Sequence, residues 1–485
     1  MQNFYLMHPK RLLILFAFVP FIINAQPLYK YGSFVIKGQV KNYKEPLFDF
    51  GMTTYLNGVT NSVKVQANGN FEQQFPIQNR QNLYLYLNDD ALSFTIQDKD
   101  TLILYWDEAD FKNTFTVKGN NETRTKELTG QLAIWYQFRT PFMKLNDTLY
   151  RNTNLTTDNK YALINDLFNR HVKAAIDPGY SNSRSSTLLL LQLYFQYAHV
   201  LQSQGLIPRY NLKFIKDSTH PNDYLPNYTT QYEDWFWNVP EYKDFMFDYL
   251  RFTRPFNAYV PYNNIPEKPF NPTLDEYHLA LANLSAPNMR DWFITKSILL
   301  GFEHYNFTDV ENVYKLAANT LTSPFLKDTL QHFYAAMNRL KPGNPAPGFS
   351  LKNDQGKLVS LSDFKGKVVY IDFWGVGCGP CIYDIKNTVP QLHEHYKNKD
   401  VVFISICVDA TESEWKEALK QYKLDGVNLI AEDWIKNPVC KTYNINAIPH
   451  YLLIDKSGKI SDNNGPGVNR LDLGSGQNPI DLLLK

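Results

Sequence analysis

From residue 31 to about 118 apolar side chains recur at every second position. Phe34, Ile36 and Val40 alternate with Val35, Lys37 and Gln39, and Leu83, Leu85 and Leu87 alternate with Tyr84 and Tyr86. That is the period of strands buried on one face. Asn68-Gly69, lying between Val63-Lys64-Val65 and Phe71-Glu72-Gln73, suits a hairpin turn because both residues tolerate positive φ. The pattern predicts a small antiparallel β domain, sandwich-like, over 27–118. From about residue 121 to 340 the period becomes 3.6. Leu326, Leu330, Phe333, Met337 and Leu340 step by four and three behind Ser323 as N-cap and Pro324 in the first turn. A second helix, apolar nearly all round, is predicted over 186–204, and the Pro- and aromatic-rich stretch 252–272 reads as loops packed on a helical domain spanning 119–340. Beyond Lys341 strands and helices alternate. Strand runs at 367–373, 400–408, 427–431 and 448–454 are interleaved with helical patterns at 380–396 and 412–422 and followed by one at 479–484, which predicts an α/β sheet over 341–485.

The first 25 residues follow another logic. Lys10 and Arg11 flank an apolar run over 12–23, interrupted by Pro20, and Asn24-Ala25 offers a small-residue cut before Gln26. Twelve helical residues reach about 18 Å against a hydrocarbon core of about 30 Å. A cleaved secretory signal over 1–25 is therefore expected, with no cysteine at the cut to carry a lipid. The expected destination is the periplasm or cell envelope.

Length and charge agree with a modular exported chain. At about 150 residues per domain, 485 residues suggest roughly three domains. Lys+Arg 49 against Asp+Glu 48 gives a net charge of +1, so no global field draws nucleic acid or an anionic membrane. Removing Lys10 and Arg11 with the signal leaves 49 − 2 = 47 basic against 48 acidic residues, a net −1. Four cysteines are too few for a disulfide scaffold in a chain this long, which directs attention to their reactivity.

Two of them stand in Asp372-Phe373-Trp374-Gly375-Val376-Gly377-Cys378-Gly379-Pro380-Cys381, directly after a predicted strand and opening a predicted helix. Chance spacing of any two of the four cysteines by three has an expected count of roughly 0.025. A zinc site needs two more ligands, and Cys407 and Cys440 stand alone with no adjacent His; a c-type haem needs His where Ile382 stands. Neither metal nor cofactor is expected, and redox chemistry is. A thiolate at a helix N-terminus meets unpaired N–H groups and the positive end of the dipole, worth up to about 2 kcal/mol. Lowering a thiol from about 8.5 to about 7 takes about that much. Cys378, at the helix start, should attack; Cys381, one turn inward, should close the Cys378-Cys381 disulfide and release product. Asp372, near the end of an apolar strand where an acid is expensive, reads either as a satisfied strand-end group or as a raised-pKa acid that takes the proton from Cys381.

From about Pro345 onward the sequence resembles the thioredoxin-fold, TlpA/ResA-like thiol-disulfide oxidoreductases of bacterial envelopes. The pieces are Pro347-Gly348-Phe349, Leu361-Ser362-Asp363-Phe364-Lys365-Gly366-Lys367, the CGPC segment, and Ala447-Ile448-Pro449 before Tyr451-Leu452-Leu453-Ile454-Asp455. The resemblance implies a thioredoxin fold with Pro449 as a cis-proline, Ile448 pairing its backbone with the substrate chain, and Trp374, Gly379 and Pro380 completing the substrate contact. It implies exported proteins with disulfides as substrates and a membrane thiol donor as the source of electrons. Two departures stand out: Gly377 precedes Cys378 where the family usually has Trp, and the strand at 401–408 offers Ser405 and Cys407 but no lysine to pair with Asp372.

The expected function is an exported thiol-disulfide oxidoreductase that reduces or reshuffles disulfides. The alternative is a binding or adaptor protein whose thioredoxin-like domain is secondary, an option that Gly377 keeps open. A thiol peroxidase is disfavoured, because Gly375 stands where that chemistry needs Thr and Ile371 where it needs Pro. Cys407 and Cys440 read as buried free thiols, His393-Glu394-His395 as a solvated helix face, and His450 as a neighbour able to tune the dithiol. N-x-[ST] sites such as Asn121, Asn146 and Asn227 are expected accidents of an Asn- and Thr-rich chain.

Overall fold

The computed structural model describes residues 31–53, 56, 58–87, 90–152, 154–176, 196, 197, 200, 204, 240–252, 271–284 and 286–485. The signal segment, the stretch 253–270, Asn227 and most of the helix read over 186–204 lie outside these residues. The described residues form two compact units. One holds residues up to 252 together with Leu281–Arg290; the other holds 271–280 and Asp291–Lys485.

In the first unit eight strands build two four-stranded sheets. They are β1 (Tyr31–Lys41), β2 (Leu47–Thr53), β3 (Gly58–Lys64), β4 (Asn70–Gln78), β5 (Gln81–Leu87), β6 (Asp90–Ile96), β7 (Thr101–Asp107) and β8 (Thr116–Lys118). One sheet runs β4-β1-β7-β8 and the other β3-β2-β5-β6. The period-two residues face a common core, with Phe34, Ile36, Leu83, Leu85 and Trp106 fully buried. Asn68-Gly69 does make a turn, Gly69 taking φ 81°, but it closes no hairpin. β3 pairs with β2 and β4 with β1, so the turn carries the chain from one sheet to the other. Side-chain periodicity is the same for both outcomes, and only burial on the shared core separates them.

Helices α1 (Glu122–Arg151) and α2 (Thr157–Ile176) follow. Arg124 in the first turn of α1 is buried and donates to both carboxylate oxygens of Asp100, at 3.1 and 2.6 Å, tying the helix to the strand layer. Phe138, Leu145, Ile164 and Leu167 make a small helical core that also takes in Tyr197 and Val200. Helix α3 (Pro240–Phe252) also belongs to this unit.

In the second unit α4 (Pro272–Asn283) contributes its first nine residues and α5 (Pro287–His304) its larger part, followed by α6 (Phe307–Thr320) and α7 (Pro324–Met337). Ser323 caps α7 as predicted, its side chain accepting from Leu326 N–H, with Pro324 in the first turn and Leu326, Leu330 and Met337 buried. Ser323→Ala is expected to cost about 1 kcal/mol, seen as a lower midpoint in thermal unfolding of the full chain.

The C-terminal part of this unit is a seven-stranded sheet in the order β10-β9-β13-β12-β11-β14-β15. Its strands are β9 (Ser350–Asn353), β10 (Leu358–Ser360), β11 (Val368–Trp374), β12 (Val401–Cys407), β13 (Val427–Ile430), β14 (His450–Ile454) and β15 (Ile460–Asp462). β11 is buried along its whole length, with β12 parallel on one side and β14 antiparallel on the other. The predicted helix over 380–396 is instead two: α8 (Gly379–Asn387) and α9 (Val389–His395), meeting at Thr388. Pro390 has no N–H to continue the first helix, and it takes a first-turn position of the second. Helices α10 (Glu412–Tyr422), α11 (Pro438–Tyr443) and α12 (Pro479–Leu484) complete the layers.

Candidate functional site

The end of β11 delivers the chain into a short loop, Gly375-Val376-Gly377, and then into α8. Cys378 is the N-cap of α8 with an extended backbone, and Pro380 sits in the first turn. A disulfide joins Cys378 to Cys381, their Cα atoms 5.3 Å apart. Cys381 is buried, whereas Cys378 is only half-buried. Cys381 N–H donates to Cys378 Sγ at 3.2 Å, so the outer sulfur already occupies an anion-accepting position at the helix end.

Beneath the dithiol, Trp374 is wholly buried in a cluster with Cys381, Ile385, Cys407 and Trp415. Its side chain supports the loop from inside and offers no face to a docking chain. Gly379 and Pro380 are exposed beside Cys378, and Ile448 and Pro449 are half-buried, joined by a cis peptide bond.

Asp372 is buried, and its Oδ1 has no hydrogen-bond partner. Burial, and after it the charge of Asp384, pushes its carboxyl up to about 7. Ser405 stands directly opposite on β12 and is buried as well, so no cation opposes this shift from that position. Asp384 is a residue that the motif alone does not reveal. It lies on α8 three positions after Cys381, buried like Cys381 and Ile385, and accepts from Tyr451 O–H at 3.0 Å. A sequence signal for it exists: three residues on returns a helix to nearly the same face, so a carboxylate there shares the buried stripe of Cys381.

Asp409, just past β12, is a second such residue. Its carboxylate accepts from Val376 N–H at 2.7 Å and Gly377 N–H at 3.0 Å, fixing the loop that leads into Cys378. A Cβ at Gly375 would fall onto that carboxylate, which accounts for glycine there.

His450 is paired with Phe373 across β11 and β14, and their rings lie 6.3 Å apart. Because side chains alternate along a strand, this is the opposite face from Asp372 and Trp374. Its Nε2 meets Asn463 O at 2.8 Å, and burial holds it down at about 4, neutral at pH 7. His393 does not face solvent as expected; it stacks on Phe403 at 4.8 Å, while Glu394 and His395 are exposed. Cys407 and Cys440 are buried free thiols, raised by burial to about 12 and about 11. Among the described residues no group of His, Cys, Asp and Glu is arranged to hold a metal, and no helix is long and apolar enough to cross a membrane.

Residues 341–471 match the Redoxin family. A thiol-disulfide oxidoreductase ResA of Bacillus cereus is 35% identical over 130 residues, 27% of this chain and 73% of its own. ResA of Bacillus subtilis (strain 168) is 30% identical over 127 residues, 26% of this chain and 69% of its own. Among solved structures, the thioredoxin domain of a thiol-disulfide oxidoreductase from Bacteroides vulgatus is 30% identical, covering 25% of this chain and 86% of that one with a TM-score of 0.24.

Proposed function

This chain belongs to the ResA family of thiol-disulfide oxidoreductases, and we propose that it is exported and reduces or reshuffles disulfides of envelope proteins through Cys378 and Cys381. What supports the reading above all is the asymmetry of the pair: one sulfur at the helix N-cap within reach of solvent, the other buried one turn inward. The Cys378 thiolate attacks one sulfur of a substrate disulfide, forming a mixed disulfide and expelling a substrate thiolate. Cys381, losing its proton to the Asp372 carboxylate, then attacks Cys378 Sγ. The second substrate thiol leaves, Cys378-Cys381 is oxidised, and two electrons have passed to the substrate. Exposed Gly379 and Pro380, with Ile448 and Pro449, form the surface on which the substrate chain lies, Trp374 supporting it from below. A membrane thiol donor returns the dithiol to its reduced form. In this scheme 27–118 is a sandwich-like β module, 119–340 a helical region and 341–485 the redox domain, preceded by a cleaved signal over 1–25.

The Gly-Pro dipeptide between the cysteines favours reduction. The pair is expected to equilibrate with glutathione and dithiothreitol buffers near about −270 mV; a value near about −120 mV overturns the reducing direction and leaves an oxidant.

A further inference from the structure

The end of α5 meets residues on either side of β14, the strand that follows Pro449. A helix C-terminus leaves carbonyls without intrahelical partners, and at the end of α5 two of them are taken by one side chain. Asn464 Nδ2 donates to Phe302 O and Tyr305 O, each at 3.0 Å. Asn464 follows β15 in a turn held to β14 by Gly465 N–H donating to Tyr451 O at 2.9 Å. On the other flank of β14, Asn446 Nδ2 donates to Glu303 Oε1 at 3.1 Å, and Asn446 stands two residues before Ile448. A third tie comes from Arg339, which donates to Lys441 O and Thr442 O, closing the end of α11. The α5 end and Arg339 thus hold the chain on both sides of Pro449.

The loop beside β12 is Gly375-Val376-Gly377 around Asp409, with no side chain at the position before Cys378. On that side Cys378 packs against the cluster of Trp374, Cys407 and Trp415, all within the residues matching Redoxin, whereas the chain on both sides of Pro449 is tied to helices that lie outside them.

We infer that the end of α5 is the specificity-determining wall of the dithiol site, with Glu303 as a positioning residue that acts through Asn446 on the 446–449 loop where the chain of a protein disulfide lies. The inference rests on the redox reading above. It concerns protein disulfides in particular, because a small disulfide has no flanking chain to align along Ile448 and meets Cys378 alone. Glu303 is half-buried, burial raises its carboxyl above the ordinary range, and it acts through the hydrogen bond that it accepts from Asn446.

The test compares, in the full chain, kcat/KM for insulin with kcat/KM for a small aromatic disulfide. Glu303→Ala is expected to lower the insulin-to-small-disulfide ratio about fivefold, mainly through KM, as the loss of one positioning hydrogen bond. Glu303→Gln keeps an oxygen for Asn446 and is expected to restore the ratio. Asn446→Ala should reproduce the loss, and the double alanine variant should add nothing further. A ratio at the wild-type value in both alanine variants overturns the inference. So does an equal fall with both substrates, which marks α5 as structural support only. Wild-type protein that turns over neither disulfide overturns the redox reading itself, and this inference with it.

Discussion

Cys381→Ser is expected to halt the enzyme at the mixed disulfide, with turnover of insulin reduced at least about 1,000-fold. That magnitude reflects the competition that Cys381 normally wins. Its Cα lies 5.3 Å from that of Cys378, so its attack on Cys378 Sγ is intramolecular, and even an effective molarity of about 1 M exceeds a millimolar external thiol a thousandfold. Serine leaves the geometry that activates Cys378 in place, because the donor to Cys378 Sγ is the backbone N–H of residue 381, which the substitution retains. The first step should therefore proceed and the second should fail. Non-reducing electrophoresis of the envelope fraction should show adducts that disappear with dithiothreitol and are absent from Cys378→Ser and from the double serine variant. Adducts of equal abundance in Cys378→Ser would show that another thiol is the nucleophile. Cys407 and Cys440 are poor candidates, since both are buried and held far above neutral.

The parts of this site that can be read from sequence are those whose chemistry is tied to spacing. CxxC behind a strand and ahead of a helix places both sulfurs, and an acid in an apolar run places Asp372, because burial of a carboxylate without a cation carries a cost that sequence context already reveals. The alternation over 31–118 finds the strands and their buried faces. It does not find which strands pair, since Asn68-Gly69 satisfies the local demands of a hairpin while β3 and β4 join different sheets. Asp409 and Glu303 are not legible for a related reason. Their partners are backbone amides 32 and 33 residues away in one case and an asparagine 143 residues away in the other, and no periodicity marks a contact made only by tertiary folding. Asp384 is legible in principle. It sits on the stripe of Cys381 and Ile385, but a single acid in a nine-residue helix reads as an ordinary solvated position until burial is known.

Asp372→Asn is expected to stabilise the protein, and by an amount that depends on pH. The carboxyl holds its proton up to about pH 7 in the fold, against an ordinary value of 3.8, because burial and then the Asp384 charge oppose ionisation. Between those two pH values the native state binds one more proton than the unfolded chain, so native stability falls as pH rises through the window and levels off above it. Ionised Asp372 at pH 8 costs the fold roughly 4 kcal/mol by this linkage, and asparagine, which cannot ionise, removes that cost. At pH 3 both proteins carry a neutral group and should unfold at similar denaturant concentration. Urea unfolding of the full chain, followed through the transition of the redox domain at pH 4, 6 and 8, checks the sign: the gap between variant and wild type should widen steadily with pH. In the proposed scheme the same substitution removes the base that takes the proton from Cys381. Release of product from the mixed disulfide should therefore slow, and the inflection near pH 7 in its rate should vanish. A variant that is more stable at pH 8 and yet resolves mixed disulfides at the wild-type rate, with the same pH profile, would assign Asp372 a cost without a catalytic return and move the proton transfer to Asp384, the buried carboxylate three residues after Cys381.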